Sequence, residues 1–367
     1  MKQIVRTLLF AILTFVLVLP LAACTSEQPT ASNAEPAKQE QGNTEDQTQE
    51  KEDKTETATP VPKGKNGKLK VALVAEFTTG THASQYVSGV KKAAEENGIE
   101  LVISDANNDQ AKMASYLDTA INQDVDGIVI KHGRTETLEP GVKRAVEKGI
   151  PVVAFDVELN VDGVTTIDQD DYMLALLALK QMAQDIDGEG NIVNIFVGGF
   201  APMEKRNRVY EIMLQRYPGI KEIARFGNAT ANTSLDTQTK MEAILKQYPN
   251  KGDIKAVWAP WDEFAKGATR AIKEAGRDEI KVYGIDLSDE DLQMMQEEGS
   301  PWKASAAVNP AAVGEKQVEL LLQKLAGEKT PRYYSFDPVL VTQDDLPESP
   351  INMDQLQEYV EEWGNNE

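Results

Sequence analysis

Polar and aromatic side chains gather in this chain where short apolar runs end. Glu76, Phe77, Thr81 and His82 follow KVALVA, and His132 follows DGIVI. Asp156 follows IPVVAF, Arg206 lies beyond Gly198-Gly199, Trp261 and Asp262 follow AVWAP, and Asp286 follows KVYGI. Asp156 and Asp286 offer carboxylates that can accept bonds from adjacent hydroxyls. Arg206 offers a planar fork of N–H donors, and Trp261 a flat apolar face. Together they suit a sugar ring, which presents hydroxyls at its edge and C–H groups on its faces. His82 and His132, the two histidines of the chain, fall in the same loops and are candidate contacts. If either touches the ligand, affinity is expected to change as pH falls through about 6.5. Two histidines and one cysteine are too few for a tetrahedral zinc site, so no metal or cofactor is expected. Asp262, ahead of Glu263-Phe264-Ala265, reads as a helix N-cap, and Trp258, inside an apolar strand, as core.

Such groups need strands to aim them. From Leu69 onward, β-branched runs (LKVALVA, IELVIS, DGIVI, IPVVAF) alternate with helical patterns over 84–97, 110–123 and 137–148. After Asp170 a second series places helices at 171–186, 203–216, 236–247, 263–275 and 289–298. Its strands are NIVNIFV, 220–226, IKAVWA and IKVYGI. Consecutive apolar positions mark strands covered on both faces. The alternation therefore predicts two similar α/β lobes, each a doubly wound parallel sheet, with ligand bound outside the carboxyl ends of the strands.

The ends of the chain read differently. Lys2 and Arg6 flank an apolar run that closes on Leu21-Ala22-Ala23-Cys24, an arrangement that resembles a bacterial lipoprotein signal over residues 1–23. Cys24 would then be lipidated, which anchors the mature chain to the extracytoplasmic face of the cell membrane and leaves no cysteine for a disulfide. A Gram-positive surface is the setting this implies. Residues 24–66 read as that cysteine followed by a disordered polar tether, spanning about 35 Å as a flexible coil. The formal charge is −21, or −23 once Lys2 and Arg6 are removed, which argues against nucleic acid as a partner. No G-x-S-x-G, P-loop or dinucleotide glycine fingerprint occurs, so no catalytic residue is expected.

KVALVAE followed by GVKKAAEENG, then DGIVI, IPVVAFD, AVWAPWDEFAKGA and VYGID together resemble the type I periplasmic sugar-binding proteins, in particular those like ribose-binding proteins. The likeness covers about residues 68–343. It implies two lobes joined by a three-segment hinge, with crossings near Asp168-Gln169, Val308-Asn309 and Pro338. Lobe 1 would comprise 68–169 and 309–338, lobe 2 170–308 and 339–345, and 346–367 would follow as an acidic amphipathic helix. It further implies a monomeric receptor that closes on a monosaccharide and delivers it to an ABC permease. The alternative is a sensory receptor signalling to a membrane kinase or chemoreceptor. By the same resemblance, Asp156, Arg206 and Asp286 fall at ligand positions, His132 and Trp261 stand where Asn is usual, and Asn232 stands where an aromatic often sits. The first loop, 78–84, lacks the paired aromatics of the family, and Val308 replaces a Gln, which points away from plain ribose.

Overall fold

The computed structural model describes residues 63–65 and 67–364; the signal segment, Cys24 and most of the tether lie outside the described residues. The first series of elements runs β1 (Lys70–Ala75), α1 (Thr81–Glu96), β2 (Glu100–Asp105), α2 (Gln110–Asn122), β3 (Gly127–Lys131), α3 (Thr135–Glu147), β4 (Val152–Phe155) and β5 (Thr165–Asp168). A second follows: α4 (Asp171–Asp185), β6 (Glu189–Ile195), α5 (Ala201–Arg216), β7 (Gly219–Phe226), α6 (Thr233–Gln247), β8 (Ala256–Ala259), α7 (Asp262–Glu274), β9 (Lys281–Ile285), α8 (Asp289–Gln296) and β10 (Trp302–Ala307). The chain then returns through α9 (Pro310–Leu325), β11 (Tyr333–Ser335) and β12 (Val339–Thr342).

Two six-stranded sheets result, ordered β2-β1-β3-β4-β5-β11 and β7-β6-β8-β9-β10-β12. Every pairing is parallel except β10 with β12. Strand order reverses between β1 and β3 in one sheet and between β6 and β8 in the other, so each lobe has its switch point where loops diverge. The central strands are buried on both faces, as their unbroken apolar runs require. On α1, Val87, Val90 and Ala94 face the core while Lys91, Lys92, Glu95 and Glu96 are exposed; Gly98, at φ 63°, ends the turn.

The chain passes between the sheets after β5, after β10 and after β11. The return of α9 to the first sheet depends on two glycines. A Cβ on Gly89 would lie 2.0 Å from the Ala311 carbonyl oxygen, and one on Gly314 would lie 2.4 Å from that of Tyr86. Backbone contact at that range locks α9 against α1.

The segment read as one amphipathic helix over 346–367 is instead two short 3-10 helices, Met353–Glu358 and Glu361–Gly364. Met353, Leu356, Val360 and Trp363 are buried in the core of the second lobe, while Tyr359 is exposed. A run this short gains little from helix propagation, and its clustered Glu side chains repel at helical spacing. Asn352 and Gln355 close a capping box that starts the first turn.

Candidate functional site

Strands β3, β4 and β9 are each followed by a residue whose backbone turns left-handed: His132 at φ 58°, Asp156 at 52° and Asp286 at 74°. Each first continues its sheet by one bond, donating its N–H to the carbonyl of Phe155, Ile167 or Ala306 respectively. The kink then swings the side chain off the sheet edge. Asp and His tolerate this conformation better than most residues, and such strain is held at sites that use it.

These ends open on a cleft of about 650 Å³, its mouth included. The first lobe lines it with Phe77, Thr79, Gly80, His82, Ala83 and His132. The second lobe supplies Val197, Phe200, Pro202, Met203, Arg206 and Ala229, followed by Trp261, Asp262, Glu263 and Asp286; Gln169 sits on the crossing between them. The composition suits a small ligand held by an apolar wall and a few aimed polar groups.

Arg206 is the centre of charge. Its Nε donates to Asp171 Oδ1 at 2.8 Å, its Nη1 donates to the Pro260 carbonyl at 2.6 Å, and its Nη2 stands 3.7 Å from Asp286 Oδ1. Burial alone would weaken the guanidinium, but Asp171, Asp286 and Asp156 overcome it and hold its pKa above the ordinary value. Asp156 accepts from Gln169 Nε2 at 2.7 Å and lies 3.4 Å from His132 Nε2. Burial, then Asp171 and Asp168, push its pKa well up. His82 Nε2 is 3.8 Å from Asp286 Oδ1, yet burial outweighs that attraction and lowers the imidazole to about 4. His132 is also driven well below its ordinary value, by burial and then Lys131. Both rings are therefore neutral at pH 7, and the expected window near 6.5 moves down, to about 4 for His82.

Asp156, Asp168 and Asp171 bring oxygens within 4.8 Å of one another, a spacing a metal ion could use. Arg206 on Asp171 and Lys205 Nζ on Asp168 Oδ2, at 2.5 Å, already pair two of the three carboxylates.

Among the described residues, eleven buried side-chain polar atoms have no hydrogen-bond partner. Five converge here: His82 Nε2, Asp156 Oδ1, Gln169 Oε1, Asp171 Oδ2 and Asp286 Oδ1. Buried donors and acceptors are otherwise almost always satisfied, so this concentration fits a ligand rich in hydroxyls.

Rings cover the other side. Phe77 stacks on His132 with centroids 5.2 Å apart and planes at 12°, and it meets Trp261 of the opposite lobe at 6.1 Å. The missing aromatic of the first loop is thus supplied one residue earlier, by Phe77. A second bridge between lobes centres on Thr81. Its hydroxyl receives Lys266 Nζ at 2.8 Å and Ser288 Oγ at 2.9 Å, and donates to Asp262 Oδ2 at 3.3 Å. The lobes are therefore closed on one another.

Of the residues expected to bind ligand, His82, His132, Arg206, Trp261 and Asp286 line the cleft, and Asp156 stands behind His132 and Gln169. Asn232 does not join them: it is exposed at the N-terminus of α6, and Ala229 of the same loop faces the cleft instead. The loop after β7 turns away before reaching position 232. Asp262 is also corrected. Trp261 holds the N-cap position, and Asp262, in the first turn, is buried against Lys266 and Thr81. Glu76 is structural, accepting from Gly133 N and Gln110 Nε2. The apolar wall at 197–203 was not foreseen. Its signal is the stretch FVGGFAPM, where apolar residues continue past the end of β6 into a loop.

A family profile described as "Periplasmic binding protein domain" matches residues 71–329, and the chain belongs to that family. A 5-methylthioribose transporter solute-binding protein from Thermotoga lettingae, solved with 5-methylthioribose, is 41% identical at a TM-score of 0.78, covering 81% of this chain and 94% of its own. A sugar ABC transporter protein from Yersinia enterocolitica is 36% identical at a TM-score of 0.79, covering 81% and 90%. The xylitol-binding protein of Mycolicibacterium smegmatis is 31% identical over 63% of this chain and 66% of its own length. The first two are proteins of ABC or solute transporters and the third binds xylitol; with them this chain belongs to the type I periplasmic binding proteins rather than to the enzymes.

Proposed function

We propose that this chain is a lipid-anchored, extracytoplasmic receptor that closes on a pentose bearing an apolar substituent and hands it to an ABC permease. One observation carries the ligand class: the charged pair Arg206 and Asp286 lines the same cleft as a wall of Val197, Phe200, Pro202, Met203 and Ala229. A plain pentose has hydroxyls for the first and nothing for the second. The ligand of the Thermotoga relative, 5-methylthioribose, has both a hydroxylated ring and a methylthio arm. Burying that arm contributes roughly 1.5–2.5 kcal/mol, at about 0.8 kcal/mol per methylene-sized group. Closure follows from contacts made by both lobes at once, which give the closed form its extra affinity.

Isothermal titration with 5-methylthioribose, ribose and xylitol tests this reading. 5-Methylthioribose is expected to bind at least about tenfold tighter than ribose. Equal or tighter binding of ribose defeats the assignment of the wall. Deleting the chain should abolish uptake of the bound sugar; unaffected uptake would move the protein to the sensory reading. Cys24→Ala should release the chain from the membrane fraction.

A further inference from the structure

Behind the stacked pair of Phe77 and His132 lies a lysine that the cleft does not expose. Lys131, the last residue of β3, is 0% exposed. Its Nζ is 2.8 Å from His132 Nδ1, 4.1 Å from the centroid of the Phe77 ring and 5.6 Å from that of Tyr86. A buried ammonium whose nearest neighbours are an imidazole and two aromatic faces is costly to hold, because the pull of Asp156, Glu76, Asp286 and Asp105 repays only part of its desolvation. Cation–π attraction offsets part of that cost. A methionine would fill the same space without it.

We infer that Lys131 is a positioning residue for ligand recognition: it commits His132 to a single tautomer and thereby fixes what that ring offers the cleft. An ammonium carries three N–H donors and no acceptor, so His132 Nδ1 must be the acceptor of their bond. The remaining ring proton then sits on Nε2, the atom 3.4 Å from Asp156 Oδ2, in a ring that lines the cleft. His132 therefore presents a donor, while Asp156 beside it presents acceptors. A sugar oxygen beside the ring can accept from that N–H in one orientation, while Asp156 Oδ1 stays buried behind it as an unused acceptor. The same ammonium lies against Phe77, so one buried group orders both members of the stack. Burial lowers Lys131 to about 8, which leaves it cationic at neutral pH. All four residues belong to the first lobe, so the arrangement does not depend on closure.

The tautomer is readable directly, because the chain has two histidines. Long-range proton–nitrogen spectra of the 15N-labelled protein, assigned with His82→Asn, should show His132 protonated at Nε2 and accepting at Nδ1, with no ligand present. A wild-type His132 protonated at Nδ1 overturns the inference, whatever any variant does. Lys131→Met should mix the tautomers, while Lys131→Arg, which can also only donate, should keep the wild-type one. A folded Lys131→Met with an unchanged tautomer also overturns it.

The affinity arm rests on the ligand class proposed above and uses 5-methylthioribose. Lys131→Met should weaken binding about tenfold, but by less than about twofold when introduced into His132→Asn, since Lys131 acts through that ring. Equal losses in both backgrounds overturn the inference. Failure of the wild type to bind 5-methylthioribose would defeat the ligand assignment, while the ligand-free spectra would still decide the role of Lys131.

Discussion

The two lobes share a topology but arm their rims differently. The first presents rings and neutral polar groups, Phe77, His82 and His132, on a base locked by Lys131. The second presents the guanidinium of Arg206 and the carboxylates of Asp262 and Asp286, together with the apolar segment 197–203 that runs into α5. The difference lies in the strand-end loops, since strand order and switch points correspond. One scaffold duplicated gives two edges, and specificity comes from making them unlike: one rim caps the ligand, the other discriminates it.

The comparison breaks most readily at Arg206. Its replacement by Ala removes the donor shared by Asp171, the Pro260 carbonyl and the neighbourhood of Asp286, leaving buried carboxylates unpaired. Binding should weaken by about 2–5 kcal/mol in isothermal titration. A loss of about tenfold or less would place the energetic centre outside the second lobe.

Rings sharpen the comparison next. Phe77→Ala in the first lobe should weaken ribose and 5-methylthioribose alike, by about 1–2 kcal/mol, because it removes a face under the sugar ring. Phe200→Ala in the second lobe should weaken 5-methylthioribose by a similar amount and leave ribose nearly unchanged. Titrating both sugars against both variants checks this. If the two variants show the same pattern, cap and discriminator are not divided between the lobes.

Much of this architecture is visible as pattern because burial on both faces forces unbroken apolar runs. KVALVA, GIVIK, VVAF, AVWA and KVYGI announce β1, β3, β4, β8 and β9, and the residue after each run reaches the sheet edge, where loops diverge. The marginal strands β5 and β11, TTID and YYS, carry no such run and are set by pairing with neighbours. Loop geometry is less legible still. Asn232 and Ala229 lie in one loop, and nothing in their spacing says which one faces the cleft. Phe200 and Met203 look like spare core until the turn at Gly198-Gly199 brings them to the cleft. Lys131 escapes notice because a cation at the end of an apolar strand looks like the edge of solvent, whereas it is the most enclosed cation of the site.

The two rims should also show a pair of opposite pH dependences. His82, on the first lobe, is depressed to about 4 from an ordinary 6.5, chiefly by burial and against the pull of Asp286, with Lys131, Arg206 and Lys266 adding to the depression. Between those values the unfolded chain binds the proton more readily. The contribution of His82 to stability is therefore complete above about 6.5 and is lost as pH falls towards 4. Asp262, on the second lobe, is raised from 3.8 to about 7, chiefly by burial and against Lys266, with Glu263 and Asp286 adding to the rise. Here the folded chain holds the proton more tightly. Its contribution is present in acid and is lost as pH rises from about 4 to about 7. Melting temperatures of wild type, His82→Asn and Asp262→Asn, measured without ligand across that range, separate the two. Relative to wild type, the first variant should gain as pH falls and the second as pH rises. Parallel trends would mean that the rims share one electrostatic environment, and that the cleft titrates as a unit.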